Sequence, residues 1–383
     1  MRGSERPVLL ICVNTYEFFM THRLPVAIAA HSSGFDVHVM TSDVPQNARL
    51  NSLFTFHQMP LARSGQNPFA EFYTLLFFIL KFSKIKPNLV HLVTIKPVIY
   101  GGIAARLVHV KSVVAAISGL GSVFLANCGL PLLRLRLVRL LYRIALKHKN
   151  LRVIFQNADD KEKLLSTGAL LPSQVAMIRG SGVSLDEYPY LPEPEGLPVV
   201  AMAARLLKEK GVCEFVEAAR ILKARSIKVD MRLIGSPDFG NPSSVTEEEL
   251  ARWKAEAVVN LLGFRTDIAA QYAASNIVCL PSYYGEGLPK SLIEAAACGR
   301  AVVTTDMPGC RDAITPDETG ILIQPKSAEA LADAIQYLIE NPTIRMKMGE
   351  AGRKLAENAF TIESVVAQHM SIYQELLANA SEM

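Results

Sequence analysis

The sequence predicts an α/β protein built from two doubly wound domains in tandem. Three observations carry this: a globular composition, short apolar runs alternating with helical patterns in both halves, and a proline-rich break near the middle. Apolar residues make up 50% and charged residues 20% of the 383-residue chain, a balance that excludes disordered and low-complexity classes. At roughly 150 residues per domain, the length implies two or three domains. The break is YPYLPEPEGLP, residues 188–198, with four prolines in eleven positions, a stiff and extended composition. Charge changes sign across it. Residues 1–190 hold 21 Lys and Arg against 10 Asp and Glu, a net +11, and the remainder hold 19 against 26, a net −7.

In the first half, VLLICV (8–13), VHVMT (37–41), NLVHLV (88–93), SVVAAI (112–117) and RVIF (152–155) read as strands. In the second, PVVAMAA (198–204), VDMRLIG (229–235), AVVNLLG (257–263), NIVCLPS (276–282) and RAVVTTD (300–306) do the same. Each is short, apolar and bounded by turn residues, as strands of a parallel sheet covered on both faces should be. Helical patterns lie between them, for example around 24–31 and 97–108, and 362–378 reads as a terminal helix. Strand–helix alternation implies doubly wound sheets, and two in tandem would face each other across a cleft. The expected domains are 1–190, 191–360, and a C-terminal helix, 361–383, that returns to the first domain.

Several classes are excluded. The six cysteines show no C-x-x-C spacing, which argues against a disulfide framework or zinc ribbon and fits a reducing compartment. The apolar run before Asn14 is too short for a signal-peptide core, and the stretch 72–80 is far below the roughly 20 residues of a membrane span. A cytoplasmic, non-spanning protein is therefore expected. The loop after the first strand, NTYEFFMTHRLP, has no glycine, so the dinucleotide G-x-G-x-x-G is absent. There is no Walker motif, no H-E-x-x-H, no G-x-S-x-G and no recognised nucleic-acid reader.

The chemistry concentrates in CLPSYYGEGLPKSLIEAAACGRAVVTTDMPGCRDAI, residues 279–314, which reads strand, loop, helix, strand. Loops after a strand's carboxyl end are where open α/β sheets bind ligands. Gly285 and Gly287 permit close backbone approach, and Pro289 fits the first turn of a helix. The N–H groups of that turn suit an anion such as a diphosphate. Glu286 sits in the loop and Glu294 eight residues on. A carboxylate can accept from two hydroxyls at once, which suits the vicinal diols of a ribose or a sugar. A bare pair of this spacing reads more readily as a capping carboxylate and a solvated helix residue; the surrounding pattern changes that.

That pattern resembles the E-x7-E signature of the retaining family 4 glycosyltransferases, whose GT-B architecture consists of two Rossmann-like domains facing across a cleft. AARLLKEKGVCEFVEAA (203–219) is similar to the family's Arg-x4-Lys-Gly element. FQNADDKEKL (155–164), GSGVSLDEY (180–188), LLGFRTDI (261–268) and ISGLGS (117–122) also resemble family features. The last of these, with FQN and SGV, is similar to the subgroup that assembles capsule, O-antigen and lipid-linked oligosaccharides.

The resemblance implies catalytic roles for Glu286, Arg205 and Lys210. It implies donor binding at Gly287, Leu288, Pro289, Lys290, Glu294, Gly119 and Gly121, and acceptor or phosphate contacts at His22, Arg23 and Lys96. Arg205 and Lys210 would meet a diphosphate, so no metal or other cofactor is expected, in keeping with the lack of Asp-x-Asp. The implied activity is retaining transfer of a sugar, an N-acetylhexosamine, from a UDP-sugar to a polyprenyl-diphosphate-linked saccharide in bacterial glycan assembly. A UDP-sugar 2-epimerase and a catalytically silent sugar-nucleotide-binding partner stay open as other readings. Many relatives carry a histidine where this chain has Ser118–Gly119, and His91 reads more readily as a core or strand-end histidine than as a catalytic one.

Two segments of the basic half bear on location. PLLRLRLVRLLYRIALKHKN (131–150) sets Arg134, Arg136, Arg139, Arg143, Lys147 and Lys149 beside an apolar stripe of Leu133, Leu137, Leu140, Leu141 and Ile144. FYTLLFFILKFSKIK (72–86) is apolar and carries three lysines in its last six residues. The stripes could pack on the sheet, but the +11 charge of this half and the resemblance to transferases with polyprenyl-diphosphate acceptors imply that they rest on an anionic membrane surface, peripheral on its inner face.

Overall fold

The computed structural model describes residues 6–44, 48–61, 68–120, 130–238 and 240–382, and for residues 48, 49, 68 and 130–134 the backbone alone. The chain forms two compact units: Met1–Ser181 with Ile362–Met383, and Gly182–Thr361.

The first unit contains a parallel sheet of β1 (Val8–Cys12), β2 (Asp36–Thr41), β3 (Thr55–Gln58), β4 (Leu89–Val93), β5 (Ser112–Ile117), β6 (Leu151–Phe155) and β7 (Val175–Met177). Their spatial order is β3-β2-β1-β4-β5-β6-β7. Successive side chains alternate between faces, so one strand feeds two cores. Leu10, Cys12, Val90 and Leu92 pack with Phe78, Phe82, Tyr142 and Leu146 on one face. Leu9, Ile11, Val37 and Val39 pack with Val26, Ala30, Tyr373 and Leu376 on the other. The helix Ile362–Glu382 belongs to this second face. The Leu376 carbonyl accepts from Ser112 Oγ at 3.0 Å and from Asn150 Nδ2 at 2.7 Å.

The second unit holds β8 (Val199–Ala203), β9 (Asp230–Ile234), β10 (Asn260–Gly263), β11 (Ile277–Leu280), β12 (Ala301–Thr305) and β13 (Gly320–Ile323), in the order β10-β9-β8-β11-β12-β13. In both sheets the chain winds outward one way, then returns beside its first strand and winds the other way. The reversal falls between β1 and β4 in one unit and between β8 and β11 in the other. These are the topological switch points, where the loops at the carboxyl ends diverge and leave room for ligands.

All ten expected strands occur, with their ends shifted by at most three residues. Three unforeseen strands, β3, β7 and β13, lie at sheet edges. An edge strand needs no continuous apolar run, and TFHQ has none. The helix foreseen around 97–108 begins as a wide turn, Pro97–Gly101, before Gly102–Leu107 becomes regular.

The unit boundary differs from the expected 190/191. It falls at Ser181/Gly182, and the proline-rich 188–198 stretch is a strap clamped to the second unit rather than a free hinge. Arg345 pairs with Glu193 at 2.8 Å, both nearly buried. Arg300, fully buried, donates to the carbonyls of Leu191 at 2.9 Å and Pro192 at 3.3 Å. Asn276 holds Glu193 Oε2 at 3.0 Å and the Pro194 carbonyl at 3.2 Å. Removing one partner of a buried ion pair costs about 3–5 kcal/mol, so this strap stays in place.

The two basic helices also resolve. In Leu130–Ala145, Leu135, Tyr142 and Ala145 face inward, while Leu137, Leu140 and Ile144 of the expected stripe are exposed beside Arg136 and Arg139. Arg143 is tied to the Thr167 carbonyl. The helix Pro68–Ile85 buries Thr74, Phe78 and Phe82 and exposes Phe69 (85%), Phe72 (67%), Tyr73, Leu76 and Leu80 (61%) on its outer side. Arg134 and Leu133 lie outside the described side chains. Among the described residues no helix is long and apolar enough to cross a membrane.

Candidate active site

The best-defined cluster stands at the carboxyl edge of the second sheet, at its switch point. β8 runs into Arg205 and the short turn Lys208–Lys210, and β11 runs into Ser282 and Glu286. Lys210 Nζ and Glu286 Oε1 form a close ion pair, both mostly buried. Ser282 Oγ donates to the same Glu286 oxygen at 3.0 Å, and its carbonyl accepts from Thr305 Oγ1.

Two glycines make this approach possible. Gly211, at φ +81°, would place a Cβ 2.1 Å from the Pro281 carbonyl oxygen. Gly309, also at φ +81°, would place one 2.3 Å from the Gly287 oxygen and 2.7 Å from that of Glu286. Any side chain at either position would push the two loops apart, so Gly211 sets Lys210 against the β11 loop and Gly309 seats the Glu286–Gly287 turn. Beneath it Cys310 is fully buried, and burial, reinforced by the Glu286 carboxylate, pushes its thiol up to about 12.

Around this pair stand the other expected donor residues. Arg205 is more than half exposed and meets Asp238 Oδ2 at 2.9 Å, from the loop after β9. Leu288 and Pro289 are buried, and Pro289 is the N-cap of the helix Lys290–Ala297, one residue before the first turn expected for it. Glu294, on that helix, is 7% exposed; burial raises its carboxyl pKa against the opposing pull of Lys290. It accepts from the Tyr188 hydroxyl at 2.7 Å and lies 3.6 Å from Lys290 Nζ. One edge of the sheet thus presents two cations, a loop carboxylate, a helix N-terminus and a second, buried carboxylate. Such an edge can neutralise a diphosphate and bind hydroxyls.

The first unit places the remaining expected residues separately. His22 Nδ1 lies 2.9 Å from Ser181 Oγ, with the Phe18 ring against the imidazole. Arg23 is not on the surface as a phosphate contact would require. It is 2% exposed, donates to the His22 carbonyl at 2.8 Å, and burial lowers its pKa to about 10. It stands in a polar cluster with His91, His369 and Tyr373 inside the unit. His91 Nδ1 is 2.6 Å from the Tyr373 hydroxyl, and burial keeps its pKa well below the usual imidazole value, so it is a core histidine. Lys96 pairs with Glu71 Oε1 at 2.7 Å after β4. Gly119, at φ +97°, turns the loop after β5; Gly121 lies outside the described residues.

Sequence reasoning did not foresee Tyr188, Ser282, Asp238, Ser181 or Glu71 as partners. Ser282 and Tyr188 lie inside quoted motifs, four residues before Glu286 and at the end of GSGVSLDEY. Ser181 lies in that same motif, whereas Asp238 is a loop residue and Glu71 a residue in the first turn of the helix Pro68–Ile85, and only the fold reveals these pairings.

Comparison with known proteins agrees with this layout. Residues 8–157 match the family described as glycosyl transferase 4-like, and residues 187–355 match glycosyl transferases group 1. The chain is 27% identical over 373 residues to the N,N'-diacetylbacillosaminyl-diphospho-undecaprenol alpha-1,3-N-acetylgalactosaminyltransferase of Campylobacter jejuni, covering 93% of this chain and 96% of that one. It is 26% identical to the capsular polysaccharide biosynthesis glycosyltransferase CapM of Staphylococcus aureus, over 89% of this chain and 90% of that one. Among solved structures it is similar to HepE of Anabaena in complex with UDP-glucose, with a TM-score of 0.75 at 18% identity, covering 97% and 99% of the two chains. Two parallel α/β units with a basic and carboxylate-bearing switch point, matched in order by both family descriptions, make this chain a family 4 glycosyltransferase of the GT-B architecture.

Proposed function

We propose that the enzyme transfers a sugar, an N-acetylhexosamine, from a UDP-sugar to a polyprenyl-diphosphate-linked saccharide, with retention of anomeric configuration. The observation that carries the reading is the Lys210–Glu286 pair with Arg205 at the β8/β11 switch point. As the glycosidic bond breaks, charge develops on the departing diphosphate. Fixed cations aimed at that charge lower the barrier most, because they need no reorganisation as it forms. Arg205 and Lys210 fill this role, assisted by the positive end of the Lys290–Ala297 helix, and the reaction proceeds without a metal. Glu286, steadied by Ser282 and Lys210, accepts from hydroxyls of the donor sugar. Glu294, oriented by Tyr188, accepts from the ribose diol. The acceptor attacks from the face the diphosphate leaves, and the leaving phosphate takes its proton.

The acceptor class is supported by the two full-length relatives, whose names specify an undecaprenyl-diphosphate acceptor and capsule synthesis. It is also supported by the outward Phe69, Phe72, Tyr73, Leu76 and Leu80, and by Leu137, Leu140 and Ile144 among exposed basic residues. Apolar side chains with cations beside them suit the boundary of an anionic bilayer, so the enzyme works at the inner membrane face. Incubation with UDP-N-acetylhexosamines, with and without lipid-linked acceptor, tests the reading through UDP release.

A further inference from the structure

Asp238 lies in none of the sequence motifs that define the second unit's site, yet its carboxylate meets Arg205, one of the two cations at the β8/β11 switch point. The loop that carries it runs between β9 and the helix Glu247–Glu256 and is folded back onto the Arg205–Lys210 turn. Leu206 N donates to the Ser236 carbonyl at 3.0 Å, Lys208 N to the Ser243 carbonyl at 2.8 Å, and Val245 N to the Leu206 carbonyl at 2.9 Å. Asp238 N donates to Ser244 Oγ at 2.9 Å, and the Asp238 carbonyl accepts from Asn241 N at 2.8 Å. Lys208 is also paired with Glu249, in the first turn of that helix, at 3.0 Å. Gly235 lets the loop leave β9 this close to the turn: at φ +143°, a Cβ there would lie 1.9 Å from the Ala204 carbonyl oxygen. The Asp238 backbone is therefore fixed relative to that of Arg205.

The contact between the two side chains is one-sided. A guanidinium is a planar fork of five N–H donors, and it meets a phosphate best with two parallel N–H groups on one edge. Asp238 Oδ2 accepts from Nη1 alone, at 2.9 Å. Nε and Nη2, which form the other edge, have no partner among the described residues. Asp238 is mostly buried and Arg205 more than half exposed, so the pair has an anchored end and an open one. An exposed ion pair adds little to stability. Its consequence here is orientation: it selects one rotamer of a long side chain and leaves the Nε–Nη2 edge open.

We propose that Asp238 is a positioning residue, which holds the Arg205 guanidinium so that its Nε–Nη2 edge receives the departing diphosphate. This rests on the proposed transferase reading, in which Arg205 meets that charge. Asp238 acts through Arg205 and touches no substrate. A carboxylate near a bound diphosphate also repels it in the ground state, so the two effects have opposite signs. Without Asp238, UDP is held as tightly or more tightly, while the charge that develops as the glycosidic bond breaks meets a cation no longer held in place.

The test uses the full-length protein and three readouts. In Asp238→Ala, kcat with UDP-sugar and lipid-linked acceptor should fall about 10- to 100-fold, the scale of a small misplacement of a catalytic group. UDP affinity by calorimetry should be unchanged or tighter. Asp238→Asn, whose amide oxygen still accepts from Nη1, should recover most of the rate. In the Arg205→Ala background, Asp238→Ala should lower kcat no further, because the side chain it positions is gone. With isotope-labelled arginine, the Nε–H signal missing from Arg205→Ala identifies Arg205, and its heteronuclear NOE should report an ordered side chain in the wild type and a mobile one in Asp238→Ala. Thermal melts confirm folding; where Asp238→Ala does not fold, Asp238→Ser, too short to reach the guanidinium, replaces it. A wild type that releases no UDP contradicts the transferase reading, while loss of Arg205 order in Asp238→Ala still upholds the positioning. An unchanged kcat, an equal fall in the Arg205→Ala background, a UDP affinity that falls in step with kcat, no recovery in Asp238→Asn, or an Arg205 as ordered in Asp238→Ala as in the wild type overturns the proposal.

Discussion

The Tyr188 hydroxyl donates a 2.7 Å hydrogen bond to Glu294 Oε1, tying the start of the proline-rich strap to the helix that carries the buried carboxylate. Glu294 is held in one orientation while burial raises its pKa, so it is a positioned acceptor with a reduced cost of protonation. Glu294→Gln should weaken UDP binding about 10-fold with a smaller effect on kcat, because ribose contacts are similar in ground and transition states. Tyr188→Phe should weaken it in the same direction and less. Isothermal titration with UDP checks both; unchanged affinity in Glu294→Gln removes this residue from the ribose.

Arg205→Ala and Lys210→Ala should each lower kcat by about two to four decades, the scale of losing one preorganised charge contact. Lys210→Ala carries a second consequence, because it leaves Glu286 largely buried beside Ser282 without its cation. Its melting temperature should therefore fall, whereas Arg205→Ala, at an exposed position, should melt like the wild type. Initial rates and thermal melts on the same preparations separate the two effects.

Asp160 gives a pH signature in the first unit. Burial raises its carboxyl pKa from 3.8 to about 6, although Asn157 and the Leu120 N–H both favour the charged form. A carboxyl raised in the folded state is easier to ionise when unfolded. Its ionisation therefore penalises folding, and the penalty grows as pH rises from about 3.8 to about 6 and is constant above. Asp160→Asn should gain stability relative to wild type across that window and hold the gain at pH 7. Denaturant unfolding of both proteins between pH 4 and pH 7 reads the difference; a gap that shrinks with rising pH would contradict the assignment.

The basic helix predicts membrane behaviour. Each exposed cation near an anionic surface contributes about 1 kcal/mol, and salt screens it. Arg136, Arg139 and Lys147 are exposed, whereas Arg143 is engaged by Thr167, so the informative reversal is to Glu at the first three. It should release the protein from phosphatidylglycerol-containing vesicles in co-sedimentation at low salt and leave UDP affinity unchanged. A wild type that never pellets contradicts the membrane reading.

Much of this was legible in the sequence because parallel sheets write their buried strands as continuous apolar runs. All five such runs in each half became strands. The edge strands β3, β7 and β13 were not legible: TFHQ has no apolar run, and VAM and GILI are apolar but only three and four residues long. The residues around Glu286 announced themselves through Gly and Pro at fixed offsets from it, because glycines are required where loops close to van der Waals contact, as at Gly309. The strap misled for a physical reason: prolines mark extended backbone, and extended backbone can be a linker or a clamp. Only the burial of Arg300, Arg345 and Glu193 distinguishes the two. Arg23 misled likewise, since a basic residue opening a helix near a sheet edge gives no sign that it points into the core.

The central claim is tested most directly by incubating the purified enzyme with UDP-N-acetylhexosamines and a synthetic polyprenyl-diphosphate saccharide, in excess chelator. UDP release and the anomeric configuration of the product are followed by NMR. Acceptor-dependent UDP release that persists in chelator, giving an α-linked product from an α-linked donor, is the expected result. No UDP release from any UDP-sugar, or a product of inverted configuration, would contradict it.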